Sequence, residues 1–254
     1  MKKNKPLILI TNDDGYNSNG ISTLINVASK IGDVYVMAPD KNRSAVSHSI
    51  TIHEEISIEM IDKQKFKCSG TPVDCVKLAL DKILPSKPDL CLSGINHGSN
   101  HSINTVYSGT LHGAMEGTIH GINSISFSHL SYDDEKKLDG YEYFIKKIIE
   151  DVLNFGLPDN LTLNINIPDV HENLIKGIKI CNQSQGLWKE DYKFNYVKNG
   201  KKFYTVTGDF IEDDTNIDGD SWALKNNFIS AVAVKIDCSY PKAISKIKFL
   251  EKCD

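Results

Sequence analysis

The sequence predicts an α/β fold, with a doubly wound, mostly parallel sheet and a β-rich C-terminal extension. Two observations indicate this class. Up to about residue 170, short apolar runs of strand length alternate with longer segments of helical periodicity. After residue 170 the helical segments stop, and strand-like pieces alternate with polar loops. Alternating strands and helices indicate a parallel sheet, because parallel strands need a crossover connection that is usually a helix.

The first strand–helix–strand unit covers residues 6–39. PLILIT at 6–11 is a continuous apolar run with β-branched residues, which is typical of a strand buried on both faces. Residues 20–32 then carry apolar side chains at helical spacing, and Gly32 provides a stop. DVYVMAP at 33–39 is the second strand. The unit predicts a right-handed crossover between two parallel strands.

The same alternation recurs along the next 130 residues. Helical patterns, the first of them with Pro72 in its first turn, lie at 72–84, 108–121 and 138–156. Strand patterns lie at 88–94, 122–128 and 161–168. The helix at 108–121 is rich in small residues, so we expect it to pack closely on the sheet.

The last third of the chain has a different texture. Strand-like pieces lie at 176–181, 201–208 and 229–237, with polar loops between them. We therefore expect a core at 1–170 and a β-rich extension at 171–254 that acts as an oligomerisation arm, although the two could form one domain.

Composition excludes several classes of protein. The 254 residues are 40% hydrophobic and 24% charged, as in ordinary soluble globular proteins. A net charge of −4 gives no support for binding a nucleic-acid polymer or a membrane surface. No apolar run approaches the roughly 18 residues of a membrane span, and the N-terminus does not fit a signal peptide. The six cysteines are scattered and suit buried free thiols, so we expect a cytoplasmic protein.

Three loops at predicted strand ends carry an unusual density of small polar residues. They lie at 11–20, 38–51 and 93–110. Ligands of doubly wound sheets bind at the carboxyl ends of the strands, near the point where the strand order reverses. The composition of these loops suits a hard cation together with a phosphate group.

The first loop begins with two adjacent carboxylates, Asp13 and Asp14. Carboxylates and neutral oxygens favour Mg²⁺, Mn²⁺ or Ca²⁺. Both side chains can reach one ion only if the chain turns directly after the strand, which Gly15 permits. The third loop adds Asn96 and Asn100 as oxygen ligands or amide donors.

The third loop ends at the start of a predicted helix. Ser108, the Gly109 amide and Thr110 lie at that N-terminus, where backbone N–H groups favour an anion such as phosphate. Taken singly, Asp-Asp-Gly is also typical of a turn and Ser-Gly-Thr of a plain helix cap. The functional interpretation is favoured because three loops carry the same chemistry.

Several ordered motifs resemble the SurE family, the stationary-phase survival protein nucleotidases and phosphatases. The motifs are ILITNDDGYNSNGI, MAPDKNRSAVSHSIT, GTPVDCVKLAL, LSGINHGSN, YSGTLHGAMEG and LNINIP. They cover most of the first 170 residues, and the C-terminal third matches more loosely. The resemblance implies a Rossmann-like core with a C-terminal extension that exchanges between subunits, giving a dimer or tetramer.

The resemblance also implies a site. One divalent cation per subunit, Mg²⁺, Mn²⁺ or Ca²⁺, would be bound by Asp13, Asp14, Ser44 and Asn96. The phosphate-binding positions would be Asn100, Ser108, Gly109 and Thr110. The implied reaction is hydrolysis of nucleoside 5′- and 3′-monophosphates to nucleoside and phosphate, with short polyphosphate as a further substrate. One departure from the family is Ala45, where members often have glycine.

The residues leave the mechanism partly open. A water bound to the cation, oriented by Asp13 or Asp14, is the favoured nucleophile, while direct attack by an Asp is an alternative. His48 or His101 could protonate the leaving group, and the sequence does not choose between them. The nucleoside is expected against the loop at 42–48 or against the C-terminal arm, with no aromatic residue singled out.

Two other functions remain as alternatives. A metal-dependent nucleoside N-ribohydrolase would also place acidic residues at strand ends, but it would not need a phosphate site. A non-catalytic nucleotide sensor would bind without turnover.

DTNIDGD at 214–220 resembles a calcium loop, but Lys225 occupies the position of its final glutamate, so we expect an acidic surface loop there. No dinucleotide-binding or P-loop motif is present.

Overall fold

The computed structural model describes residues 5–133, 135–212 and 214–251, and in this part of the chain the central sheet has nine strands. The strand order is β3-β4-β2-β1-β5-β6-β7-β11-β8. Its strands are β1 Leu7–Thr11, β2 Asp33–Pro39, β3 Ile58–Asp62, β4 Lys65–Cys68, β5 Leu90–His97, β6 Asn123–His129, β7 Leu161–Ile167, β8 Ile178–Cys181 and β11 Ile229–Lys235. All neighbours are parallel except β3 with β4 and β7 with β11. The predicted mostly parallel α/β sheet is therefore confirmed.

Helices cover both faces of the sheet. They are α1 Asn19–Ser29, α2 Pro72–Leu78, which continues as a π-helical turn, α3 Gly109–Ile119, α4 Glu142–Phe155, α5 Asp220–Lys225 and α6 Ile244–Ile247. Side chains of β1 show why both faces must be covered: Ile8 and Ile10 pack with α1 and α4, whereas Leu9 packs with α2 on the other face. This alternation follows from the two-residue period of a strand. No helix of the described segments is long and apolar enough to cross a membrane.

The strand order reverses at β1. The chain passes from β1 to β2 on one side, and β5 later pairs with the other side of β1. The carboxyl ends of β1, β2 and β5 therefore meet at one edge, and the three polar loops leave from that edge. This is the switch point at which doubly wound sheets bind ligands.

Some elements differ from the sequence prediction. β5 does not end at Gly94 but continues to His97, which carries Asn96 within the strand. The hairpin of β3 and β4 was not predicted; its strand β4 extends the sheet beside β2. Residues 220–225 form α5 where a polar loop was expected, because Asp220 is buried and accepts the Ser102 and Ser184 backbone N–H groups at 2.9 Å each.

The β-rich extension contributes to two sheets. β8 and β11 complete the far edge of the central sheet. β9 Leu187–Lys198 and β10 Lys201–Ile211 form a separate antiparallel hairpin. Nearly every residue of this hairpin is exposed. At its base, however, the Gly186 N–H donates to Ser102 Oγ at 2.7 Å, so that end is attached to the core.

Candidate functional site

A cavity of about 660 Å³ opens at the carboxyl edge of the sheet. Its wall includes a residue from each of the three polar loops, together with the base of the β9–β10 hairpin. The predicted site residues on the wall are Asp13, Ser44, Asn96, Asn100 and Ser108. The volume lies within the range of small-molecule sites. Asp14 lines a neighbouring cavity, and Gly109 and Thr110 contact Asp13.

The first loop turns directly after β1. Gly15 has a φ of +99°, a left-handed conformation that favours glycine. The Asn12 side-chain amide donates to the Gly15 carbonyl and to Ser18 Oγ at 2.9 Å each. Ser18 in turn caps α1. The turn is thus held by buried hydrogen bonds, and it keeps two adjacent carboxylates at the end of β1.

Asp13 is almost completely buried, with 3% of its surface exposed. The Thr110 hydroxyl donates to its Oδ1, and its carbonyl accepts the Arg43 N–H at 2.7 Å. Burial, followed by the charge of Asp14, raises the pKa of Asp13 to about 7. At neutral pH this carboxylate is therefore poorly stabilised by the protein alone, and a cation would stabilise its charged form.

Asp14 faces a neighbouring cavity rather than the main one. Its Oδ2 accepts the His97 backbone N–H at 3.1 Å and lies 3.4 Å from His97 Nδ1. His97 lines both cavities, so it stands between them. Both ring nitrogens of His97 are buried, and neither has a hydrogen-bond partner among the residues that the structure describes. The structure therefore brings the two carboxylates together at one strand end, with their open sides differently placed.

The second loop carries Ser44 to the rim of the cavity. The Ser44 N–H donates to Asn42 Oδ1 at 2.8 Å. Ala45 follows with a φ of +59°, a left-handed conformation that explains why glycine suits this position. Ser47 fastens the loop to the third loop, since its N–H donates to the Tyr107 carbonyl and its hydroxyl to the Val106 carbonyl.

A buried carboxylate anchors the same loop further along. Glu116 on α3 lies 2.9 Å from His48 Nε2, 2.7 Å from Lys77 Nζ and 3.1 Å from His120 Nε2. Burial alone would raise the pKa of Glu116, but hydrogen bonds from His48 and Lys77 outweigh it and lower the pKa to about 2. His48 is thus an anchor of the loop.

Neither histidine suggested as a proton donor is among the described residues that line the main cavity. His48 contacts Glu116, and His101 lies 3.3 Å from Glu212 and packs edge-on against Phe210. His97 is the histidine that lines the cavity. Sequence alone did not distinguish His97 from the other two, because all three histidines lie in predicted polar loops.

The third loop presents amide groups to the cavity. The Asn96 amide nitrogen donates to the Gly98 carbonyl at 2.6 Å and the His97 carbonyl at 3.3 Å, which leaves its Oδ1 for a ligand. Asn100 is held by its backbone: its N–H donates to Asn166 Oδ1 and its carbonyl accepts the Asn164 amide, both at 2.8 Å. The sequence analysis missed this role of β7, although Asn164 and Asn166 are polar residues in a buried strand.

The N-terminus of α3 points toward Asp13. Ser108 is the cap residue, and its hydroxyl accepts the Leu111 N–H at 2.9 Å. A Cβ at Gly109 would lie 2.8 Å from Asp13 Oδ2, so only glycine allows this approach. Thr110 is fully buried and donates to Asp13. In this structure Gly109 and Thr110 therefore shape the acidic end of the site.

The donor atoms suit a hard divalent cation. They are carboxylate, hydroxyl and amide oxygens, which is the set that Mg²⁺, Mn²⁺ and Ca²⁺ prefer. Among the described residues no cluster of three or more His, Cys, Asp or Glu side chains is placed to hold a metal. The oxygen set at the ends of β1 and β5 fits the expected ion.

Part of the cavity wall is aromatic, which was not predicted from the sequence. Tyr107 and Tyr132 come from loops, and Trp188 comes from the base of the β9–β10 hairpin. Trp188 lies 84 residues after Asn104 of the third loop, and its strand pattern alone gave no reason to place it here.

Fold and site together define a Rossmann-like α/β protein with an acidic, phosphate-compatible site at the switch point of its sheet. The family model described as "Survival protein SurE" matches residues 8–190. The chain belongs to the SurE family.

Relatives of known name and structure agree with this family. The chain is 47% identical over 248 residues to the "5'-nucleotidase SurE" of Flavobacterium psychrophilum, covering 96% of each chain. It is 48% identical over 242 residues to the "5'-nucleotidase SurE" of Flavobacterium johnsoniae, covering 93% of each. The crystal structure of the SurE protein from Aquifex aeolicus matches with a TM-score of 0.86 at 38% identity, covering 97% of this chain and 100% of that one.

The raised pKa of Asp13 predicts a pH-dependent effect of Asp13→Asn on the metal-free protein. Between about pH 4 and 7 the folded state keeps a proton that the unfolded state has lost, so stability falls as pH rises. The asparagine side chain does not ionise, so the variant does not lose stability in this way. Denaturant unfolding with a chelator present should show the variant more stable than the parent by up to about 4 kcal/mol at pH 8, and not at pH 4.

Asp33→Asn, at an exposed position on β2, is the matched control and should show no such crossover. An Asp13→Asn variant that is less stable than the parent at pH 8 would contradict the electrostatic account of this site.

Proposed function

We propose that this chain is a divalent-metal-dependent nucleotidase that hydrolyses nucleoside 5′-monophosphates, and also 3′-monophosphates, to nucleoside and phosphate. One observation carries the proposal. Asp13, the first of two adjacent carboxylates at the end of β1, lies against the N-terminus of α3 and beside a cavity of nucleotide size. An acidic pair beside an anion-binding helix end is arranged for a cation and a phosphate group to meet.

The class of enzyme follows from the family. The chain matches proteins named "5'-nucleotidase SurE" at up to 48% identity over nearly its whole length. It is a phosphoric monoester hydrolase of the 5′-nucleotidase type. A nucleoside N-ribohydrolase or a non-catalytic sensor is correspondingly disfavoured.

One cation per subunit would be held by Asp13, Asp14, Ser44 and Asn96. The anchored Asn96 amide, with its oxygen left for a ligand, and the raised pKa of Asp13 support this assignment. Mg²⁺ and Mn²⁺ are the candidates that fit the oxygen ligands, and Ca²⁺ is a third. When bound, such a cation stabilises charge on a phosphoryl oxygen and lowers the pKa of a bound water.

The phosphate would lie at the N-terminus of α3. Ser108 and the Gly109 N–H would donate to phosphoryl oxygens, together with the Asn100 side-chain amide, whose nitrogen also donates to Ser128 Oγ at 2.8 Å. Thr110 completes the proposed set, but its hydroxyl already donates to Asp13. We therefore propose that Thr110 contributes first by fixing Asp13 and only then by contacting the substrate.

The chain's own groups would direct the attack. Asp13, with a pKa near 7, suits a group that orients or deprotonates a water near neutral pH. Direct attack by a carboxylate stays an alternative. The rigid hydrogen bonds around Asn100 and Asn166 hold the donors in place, which is the preorganisation that phosphoryl transfer needs. Short polyphosphate, which is a chain of linked phosphate groups, is a further proposed substrate.

We also propose that residues 1–170 are the catalytic core and that 171–254 are an extension that mediates self-association to a dimer or tetramer. Exposed aromatic and β-branched side chains at the tip of the β9–β10 hairpin support this. They include Tyr192, Phe194, Tyr196, Val197, Phe203 and Tyr204. A contiguous apolar surface of this kind is typical of an interface.

The described cysteines are all free, which is consistent with the proposed cytoplasmic location, where thiols are kept reduced.

The proposed chemistry predicts that Asp13→Asn, or removal of divalent ions with a chelator, lowers phosphate release from adenosine 5′-monophosphate by at least about a hundredfold. The assay measures phosphate against added Mg²⁺, Mn²⁺ or Ca²⁺, and separately measures released base. Asp33→Asn is the matched control and should keep full activity.

Full turnover in the presence of chelator would contradict the metal proposal. Release of free base without phosphate would instead support the N-ribohydrolase.

In the same assay, Thr110→Val should require more metal for half-maximal rate, because Asp13 loses the hydrogen bond that the Thr110 hydroxyl donates. Thr110→Ser keeps a hydroxyl and should behave like the parent.

The hairpin proposal predicts that the purified chain has the mass of two or four subunits in light scattering. Tyr196 and Phe203 stack at 4.7 Å between ring centroids on the hairpin tip. Replacing both with serine should shift the mass toward one subunit, while Phe155→Ser at the exposed end of α4 should not. A monomeric parent protein would contradict the proposal.

A further inference from the structure

The main cavity is lined by two chemically different sets of side chains. One set is Asp13, Ser44, Asn96 and Ser108, the groups proposed for the cation and the phosphate. The other set is aromatic and consists of Tyr107, Tyr132 and Trp188. The three aromatic residues keep 48%, 72% and 38% of their surface exposed, respectively. The cavity proposed for the phosphate therefore also offers partly uncovered aromatic side chains.

Trp188 is the aromatic group whose orientation is fixed most firmly. Its indole Nε1–H donates to Asn104 Oδ1 at 2.7 Å, and Asn104 is buried. Its ring packs against Phe210 at 5.3 Å between centroids, and Phe210 packs against His101. The hydrogen bond to Asn104 and the ring contact with Phe210 thus hold the indole in one orientation on the cavity wall.

Two residues that face each other across the hairpin, Gly208 and Glu190, also line the cavity. Gly208 on β10 has a φ of +143°, and a Cβ there would lie 2.4 Å from the Lys189 carbonyl, so no side chain can project at that point. The Glu190 carboxylate opposes a second phosphate group but can accept hydrogen bonds from amino or hydroxyl groups.

We infer that the base of the β9–β10 hairpin is the nucleobase subsite, with Trp188 as the platform on which a purine or pyrimidine base stacks. The inference rests on the proposed function, since it assigns the second half of the same substrate. Stacking on an aromatic face tolerates every base because each has a π-face, and Glu190 provides an acceptor for base amino groups or ribose hydroxyls. Trp188 is a specificity-determining residue and touches only the base.

The assignment is tested by comparing two substrates that share a phosphate and a ribose. Adenosine 5′-monophosphate has a base and ribose 5-phosphate has none. For Trp188→Ala, the ratio of kcat/KM for the nucleotide to kcat/KM for ribose 5-phosphate should fall on the order of tenfold, mainly through KM for the nucleotide. Trp188→Phe keeps an aromatic face and should restore most of the ratio.

The matched control is Trp222→Phe. The chain has two tryptophans, and Trp222 stacks with Phe228 outside the cavity, so this variant should leave the ratio unchanged. An unchanged ratio in Trp188→Ala would overturn the inference. Equal losses for both substrates would also overturn it, because they would show a structural role.

A binding measurement separates this inference from the proposed function. In the Trp222→Phe protein, Trp188 is the remaining tryptophan, so its fluorescence reports the subsite directly. Adenosine should quench that fluorescence saturably and ribose should not. If no phosphate were released from any substrate but adenosine still quenched, the proposed hydrolysis would fail and the base subsite would stand. Absence of quenching by adenosine would contradict the subsite whatever the activity.

Discussion

The repulsion between two adjacent carboxylates is the constraint on which the site depends. Asp13 and Asp14 follow a mostly buried strand, and burial together with their mutual charge raises the pKa of Asp13 to about 7. Among the described residues no lysine or arginine forms a salt bridge with either carboxylate; Thr110 and the His97 backbone donate to the pair instead. Neutral donors position the carboxylates without neutralising them, so the negative potential is kept for a ligand.

The surrounding structure holds this potential in a fixed place. The loop that carries Ser44 is tied at one end to the Asp13 carbonyl and further along to the buried Glu116. The loop that carries Asn100 is tied to Asn166 on β7. Two of these anchors, Glu116 on α3 and Asn166 on β7, lie on a helix and a strand rather than in the loops themselves. A site held in this way needs little rearrangement when charge develops during a reaction.

Local patterns made the core of the fold predictable. The apolar run before Asp13 and the helical spacing after Gly20 specify a buried strand and its crossover helix, and strand ends in a parallel sheet meet at one edge. The β3–β4 hairpin was not predicted, although Ile58, Glu59 and Met60 alternate between apolar and polar as strand residues do. All five residues of β3 are exposed, so this alternation does not correspond to a buried face. Trp188 is held at the cavity by tertiary contacts with Asn104 and Phe210. Neither periodicity nor composition encodes such a contact.

The central claim is that one divalent cation occupies the space beside the acidic pair. Anomalous diffraction from a crystal soaked in manganese tests this most directly. The account expects one anomalous peak per subunit within coordination distance of both carboxylates, with the Ser44 hydroxyl and the Asn96 amide oxygen turned toward it. No peak at that position, or a peak with Ser44 and Asn96 turned elsewhere, would contradict the account.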